Sequence, residues 1–284
     1  MDGDMERDEM RMNDRQMQDH VVQLVRGKIK EHGLPDRPTW KATVSALGLP
    51  APKAADIPQD GMWVSGDRQI VYSSRLTCLE RIEFTIFHEV THCLIEDDGE
   101  ILSQLGEYFT GKADDKKEYY ALEALCHRGA GEFVMPSAHF LPMIQSMNWR
   151  AAGIRRATAQ FGCSAVAAAF QFTLYHPKAC FLAVCEMGMP RGRRDEVLHV
   201  TYTVCNRAVD FPMYRYETVP KHHLVHQVWH DGSDMTGEAQ GFYRSPKSRP
   251  MQCEVTCVGR RAYAAFFQDG NVTLQYHPDQ LSMF

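Results

Sequence analysis

The sequence predicts an α+β protein, with a helical front half around a small β-hairpin and a back half around an antiparallel sheet. Three observations carry this. Thr77–Asp98 contains neither Gly nor Pro and places apolar residues at Leu79, Ile82, Ile86, Val90, Cys93 and Leu94, the stripe of a buried helix. Pro142–His176 is alanine-rich and helical in pattern. After Pro177 the pattern changes to short apolar or alternating runs bounded by Gly-containing turns.

In chain order, residues 1–13 are polar and Met-rich and are expected as a disordered tail. Asp14–His32 carries a weak stripe of Val21, Leu24, Val25 and Ile29 and stops at Gly33, so it reads as a helix. Asp36 is suited to cap a second, short helix with Pro38 in its first turn, Trp40, Val44 and Leu47 inward, and Gly48 and Pro50 as the stop. Pro52–Asp60 reads as a loop. Gly61–Val64 and Gln69–Ser73 flank Ser65-Gly66-Asp67-Arg68 and read as a hairpin. After the Thr77–Asp98 helix, Gly99–Ala113 reads as loop, and Tyr119–Val134 as a helix closed by Met135-Pro136.

Within the alanine-rich part, Ala157–Phe170 fits a helix, a turn at Gly162 and a second helix. Strands follow at Ala179–Cys185, Val197–Cys205, Gln252–Val258, Arg261–Phe267 and Val272–Tyr276, with a helix at Val219–Trp229. The expected division is a tail (1–13), a catalytic domain (14–140), a helix-turn-helix-like linker (141–176) and a sheet domain (177–284).

The chemistry centres on His88-Glu89-Val90-Thr91-His92. Residues four apart on a helix lie about 40° apart around its axis, so both imidazoles leave one face and can hold one metal ion. Glu89 lies beside the first of them, where it can take a proton from an attacking water. By itself the five-residue pattern also fits two histidines satisfied within a core. Asp97, Asp98, Glu100, Glu107, Glu118, Glu123 and His127 are candidates for a third ligand. Ile95 and Asp98 stand where a metzincin needs Gly and His, which excludes that form.

Phe84–His92, followed by Glu123–Pro136 (EALCHRGAGEFVMP), resembles the double signature of the ImmA/IrrE-type metallopeptidases, closest to the branch of the Deinococcus radiation-response regulator. The resemblance implies a zincin-like peptidase domain with His88, His92 and Glu123 as ligands and Glu89 as catalytic base. It also implies a GAF-like C-terminal domain. Two imidazoles and a carboxylate suit Zn2+ best, with Mn2+ as an alternative. The implied activity is cleavage of a helix-turn-helix repressor of the XRE type, releasing DNA-damage response genes, with a small-molecule or redox signal at the C-terminal domain. The sequence departs from the family pattern at Glu83, where a basic residue is usual, at Thr91, often Gly, and at His127, commonly Asn. The last touches the surroundings of the ligands, as do Tyr119 and Tyr120, which lie near in sequence. An extended substrate needs main-chain partners, and Gln69, Ile70, Val71, Tyr72 and Ser73, expected to keep one edge free, are the candidate strand.

Composition narrows the remaining classes. No apolar run is long enough to span a membrane, and MDGDMERDEM lacks the apolar core of a secretion signal, so a cytoplasmic address is expected. Nine scattered cysteines suit buried thiols in a reducing compartment; Cys253 and Cys257 have a zinc-like gap but no partner pair nearby. Residues 1–140 hold 16 Lys and Arg against 25 Asp and Glu, a net −9 that leaves +4 for the rest, which is not the balance of a general nucleic-acid binder. The second helix of the helix-turn-helix offers only Ser164, Gln171 and Thr173 as donors, with Arg150, Arg155 and Arg156 upstream, so specific DNA reading is not expected. The remaining rival is a non-proteolytic DNA-binding or sensor regulator with a structural metal. His222, His226 and His230 repeat every fourth residue without a nearby carboxylate and read as an exposed helix face.

Overall fold

The structure, a computed structural model, describes residues 14–109, 115–190, 192–206, 215–240 and 250–268. The tail 1–13 and the strand expected at Val272–Tyr276 lie outside them. The chain forms two compact units that divide after Ser137, so segment 141–176 groups with the sheet that follows it.

In the first unit, α1 (Asp14–Glu31) buries Met17, Val21, Val25 and Ile29. The second helix, α2 (Trp40–Ala46), starts later than expected. Thr39, in an extended conformation, accepts the Ala42 amide on its side chain and takes the capping place assigned to Asp36. The hairpin forms from β2 (Gly61–Val64) and β3 (Gln69–Ser73), antiparallel, with Gly61 opposite Tyr72 and Val64 opposite Gln69. Its turn is a short 3-10 segment ended by Arg68 at φ 47°.

One expectation about this sheet fails. β1 (Lys53–Ala55), inside the stretch read as loop, pairs parallel with β3, Lys53 opposite Val71, so the sheet order is β1-β3-β2. Gln69–Ser73 is therefore the central strand, with neighbours on both sides. Ile70 is fully buried at its middle. The outer edges belong to β1 and β2.

Three helices complete the unit: α3 (Leu79–Asp98), α4 (Glu100–Phe109) and α5 (Asp115–Val134). The expected loop at Gly99–Ala113 is largely α4. Ile101 and Leu105, four apart, turn inward to join Met17, Val21, Ile95, Leu125 and Cys126 in one apolar cluster. At the far end of α5 the buried carboxylate of Glu132 accepts from Arg26 of α1 at 2.8 Å and from the Ser137 amide at 3.2 Å.

The second unit opens with α6 (Ser137–Ser146, its first residue at the division), α7 (Gly153–Phe161) and α8 (Ala165–Tyr175). Gly162 at φ 55° ends α7, and the Ser164 hydroxyl caps α8 by accepting the Ala167 amide at 3.1 Å, which makes the expected helix-turn-helix. The sheet comprises β4 (Ala179–Gly188), β5 (Val197–Cys205), β6 (Met235–Gln240), β7 (Pro250–Val258) and β8 (Arg261–Gln268), all antiparallel, in order β5-β4-β8-β7-β6. β6 is absent from the sequence reading. Helix α9 spans Leu224–Asp231 and not Val219–Trp229, because Val219 donates to Leu198 beside β5 and His223 caps the helix.

Both faces of this sheet are buried. Phe181, Ala183 and Cys185 share a core with Val225 and Val228 of α9. The alternate residues Cys180, Leu182 and Val184 are also fully buried, and Phe267 stacks on His176 at the end of α8. Burial pushes the thiols of Cys180, Cys185 and Cys253 upward, as for inert structural cysteines.

Candidate metal centre

α3 is anchored by Ile86, Val90 and Leu94 on its buried stripe and ends at Gly99, in the left-handed conformation at φ 71°. That fixes the side from which His88, Glu89 and His92 project. The facing helix, α5, comes very close where Gly129 meets Thr91: a Cβ on Gly129 would lie 2.4 Å from Thr91 Cγ2. Thr91 is thus accommodated by a glycine on the opposite helix. Thr91 bonds back to the Phe87 carbonyl at 2.8 Å.

Of the candidate third ligands, Glu123 is the one the structure brings to the histidines. Its carboxylate oxygens lie 3.1 Å from His88 Nε2 and 3.3 Å from His92 Nε2, and the two imidazole nitrogens are 3.2 Å apart. Burial would raise the Glu123 pKa, but hydrogen bonds with His88 and His92 outweigh it and hold the carboxylate well below its usual value. Three lone-pair donors of the N, N, O type meeting at one point within a buried wall suit a divalent ion, since they offer few protons to share among themselves.

Asp97 is occupied by Arg68, and Asp98 lies 3.1 Å from His20 with Glu100 at 3.9 Å from the same ring. The Glu107 side chain lies outside the described residues. These acids at the end of α3 and the start of α4 therefore have partners within the unit.

Glu89 is 5% exposed, and burial raises its carboxyl above the usual value, with His88 and His92 opposing. Gly61 lies against it: a Cβ there would stand 2.5 Å from Glu89 Oε1 and 2.6 Å from Thr85 Cγ2. Sequence reasoning missed Gly61; the only local signal was a glycine opening a β-run.

His127 packs edge-on to the His88 ring, centroids 4.4 Å apart, and its Nδ1 donates to the Glu123 carbonyl at 2.7 Å. Burial, helped by His88, lowers its pKa to about 3, so it is neutral. His88 Nδ1, the position that a carboxylate or carbonyl commonly orients in a ligand histidine, is buried with no hydrogen-bond partner among the described residues. Burial and the nearby Glu123 carboxylate raise the Tyr119 pKa. Tyr120 packs on the Tyr119 ring.

Elsewhere, His222 precedes α9 and His223 caps it, and the groups able to hold a metal among the described residues include neither those histidines nor Cys253 and Cys257. In the helix-turn-helix, Gln171 and Thr173 are buried and Thr173 bonds to the Ala169 carbonyl. Arg150 pairs with Glu254 at 3.2 Å and Arg155 with Asp234 at 2.7 Å. No helix among the described residues is long and apolar enough to cross a membrane.

Residues 52–173 match the family described as IrrE N-terminal-like domain, Peptidase_M78. The radiation response metalloprotease IrrE of Deinococcus radiodurans is 25% identical over 217 residues, which are 71% of this chain but only 61% of that protein. A Mycobacterium tuberculosis transcriptional regulator of known structure superposes with a TM-score of 0.57 at 14% identity, covering 87% of this chain and 74% of that one, a likeness of fold.

Proposed function

We propose, for a chain whose residues 52–173 carry an IrrE N-terminal-like domain of the ImmA/IrrE type, that this protein is a metal-dependent endopeptidase acting on another protein in the cytoplasm. The observation that carries the reading is the meeting of His88, His92 and Glu123 beside a buried, uncoordinating Glu89. His88, His92 and Glu123 would hold the ion, with Zn2+ favoured by the donor set and Mn2+ the alternative. A divalent metal bound there supplies Lewis acidity toward the scissile carbonyl and acidifies water. Glu89 takes the proton of the attacking water and returns it to the leaving amine; burial raises its proton affinity, which suits both halves of that task. Tyr119, exposed on the helix that bears Glu123, is the group we assign to donate to the developing oxyanion.

The substrate edge is β2 and not Gln69–Ser73. The Ser73 amide donates to Asp60, so with the two-residue alternation of an antiparallel ladder the Gly61 and Trp63 main-chain groups turn away from β3, toward Glu89. A peptide lying along that edge would pass the base. The family resemblance makes an XRE-type repressor the substrate and DNA-damage genes the output. In the second unit, an antiparallel sheet with helices on both faces supports the GAF-like reading. A cavity of about 860 Å3 reached by Trp229, Arg260 and Tyr263 offers a small-molecule signal a place. The raised thiols leave little for a redox signal to act on. The rival, a non-proteolytic DNA-binding regulator, is disfavoured by the internal use of Arg150, Arg155, Gln171 and Thr173.

The test incubates purified protein with candidate repressors, with and without chelator, alongside Glu89→Gln. Cleavage should stop on chelation and return with added Zn2+. Glu89→Gln should fall by about 10²–10⁴-fold while keeping its metal. Cleavage that survives chelation ends the metallopeptidase reading.

A further inference from the structure

We propose a second divalent-metal site in the first unit, where His20 of α1, Asp98 at the end of α3 and Glu100 at the start of α4 meet. One imidazole and two carboxylates suit Zn2+ or a similar first-row cation. The site shares no residue with His88, Glu89, His92 and Glu123, so the proposal does not depend on the peptidase reading.

The three side chains come from three helices and converge. His20 Nε2 lies 3.1 Å from Asp98 Oδ2 and 3.9 Å from Glu100 Oε2, and one ligand atom from each residue lies within 4.8 Å of the other two. Neighbouring donors around a tetrahedral zinc, with bonds of about 2.0–2.1 Å, stand about 3.3–3.4 Å apart. The two separations from His20 bracket that value, so small side-chain rotations bring all three donors onto one ion. The backbone is already fixed there. Met17 and Val21 flank His20 on α1, Ile95 lies one turn before Asp98, Ile101 follows Glu100, and all four belong to one apolar cluster. His20 and Asp98 keep 25% and 23% of their side-chain surface exposed and Glu100 keeps 51%, so an ion can enter from solvent and water can complete its shell.

Charge gives an independent reason for a cation at this place. The carbonyl end of a helix is the negative end of its dipole and favours Lys or Arg. In α3 the pattern is reversed: its last turn holds Glu96, Asp97 and Asp98 and no basic residue. Two of these acids are answered from the hairpin. Arg68 grips Asp97 with hydrogen bonds of 2.7 Å and 2.9 Å, and the Trp63 indole and Ser65 hydroxyl donate to Glu96. Among the described residues, Asp98 and Glu100 share one imidazole. That ring supplies a single charge against two carboxylates and a helix end, and only when protonated. A divalent ion supplies two charges and lets the neutral ring bind through its lone pair. Bound there, it ties α1 to the helix that bears His88 and His92.

The experiment titrates the full, metal-free chain with Zn2+ in a buffer that does not chelate, read by calorimetry and by thermal melting. One binding event should weaken by about tenfold or more in His20→Ala and in Asp98→Asn, and the rise in thermal midpoint that accompanies it should be lost with it. His32→Ala, which removes an exposed histidine just beyond α1, should leave that event unchanged. In 15N-labelled protein the His20 ring nitrogen, assigned by its disappearance in His20→Ala, should shift as the same event saturates. Glu100→Gln tests the third ligand and should also weaken it. A titration identical in wild type and His20→Ala overturns the proposal, as does a His20 ring unmoved at two equivalents of zinc; His20 and Asp98 are then an ordinary ion pair. The peptidase reading is tested separately by the zinc that survives in His20→Ala: its loss in His88→Ala supports the centre on α3, and its absence counts against that centre alone.

Discussion

Glu89 and Glu123 share one small site and are driven in opposite directions, Glu89 upward by burial and Glu123 downward by two imidazoles. Such a split separates a proton carrier from a charge-holding ligand. Glu123→Ala should therefore lower metal affinity by about ten- to a hundredfold or more, whereas Glu118→Ala should not, as measured by metal titration of the two variants. Equal retention would return the third ligand to another residue. His88, Glu89 and His92 were legible in the sequence because a helix turns their spacing directly into a direction. Glu123 was legible through its motif alone, since nothing local says which of several nearby acids faces the histidines. Gly61 could not be read: its contact with Glu89 depends on how a distant strand lies across the helix.

The elements that place these residues meet at two close approaches. Where α3 crosses α5, Gly129→Ala would put a methyl carbon within 2.4 Å of Thr91 Cγ2 and should destabilise the unit by about 1–3 kcal/mol. Adding Thr91→Ala in the same chain should recover most of that loss, read as a double-mutant cycle of thermal or denaturant melts. At the hairpin, the Arg68 hydrogen bonds hold the Asp97 carboxyl below its usual value. A depressed folded pKa gives stability that is present above the unfolded value, about 3.9, and lost as pH falls through the folded one. The melting difference between wild type and Asp97→Asn should accordingly be present at neutral pH and vanish in strong acid; a difference that grows on acidification would contradict the ion pair. Long periodic helices were readable from sequence, with ends set by Gly99 and Gly162. β1 was not, being three residues long and bounded by prolines. Neither was α4, where Gly99 and Gly106 suggested a loop while the burial of Ile101 and Leu105 outweighed their helix cost.

At the scale of the whole molecule, the α+β class and the change of pattern after Pro177 were visible in the sequence. The grouping of the helix-turn-helix with the sheet was not: it looks like a connector until Gln171 and Thr173 are found buried within the unit that holds the sheet. A similar lesson applies at the other end of the chain. Helix α1 precedes the matched stretch 52–173, yet Met17 and Val21 lie in one cluster with Ile95 of the metal helix and Cys126 of the helix that bears Glu123, and Arg26 reaches Glu132. The span recognisable by kinship is therefore smaller than the span that folds. A chain begun at residue 52 would leave an oily flank and a stranded carboxylate facing water, and should be recovered as insoluble or self-associating material, checked by light scattering beside a chain begun at residue 14. Were the shorter piece monomeric and equally heat-resistant, α1 would be an ornament; otherwise every binding or cleavage assay on a trimmed version reports the missing helix before it reports the metal.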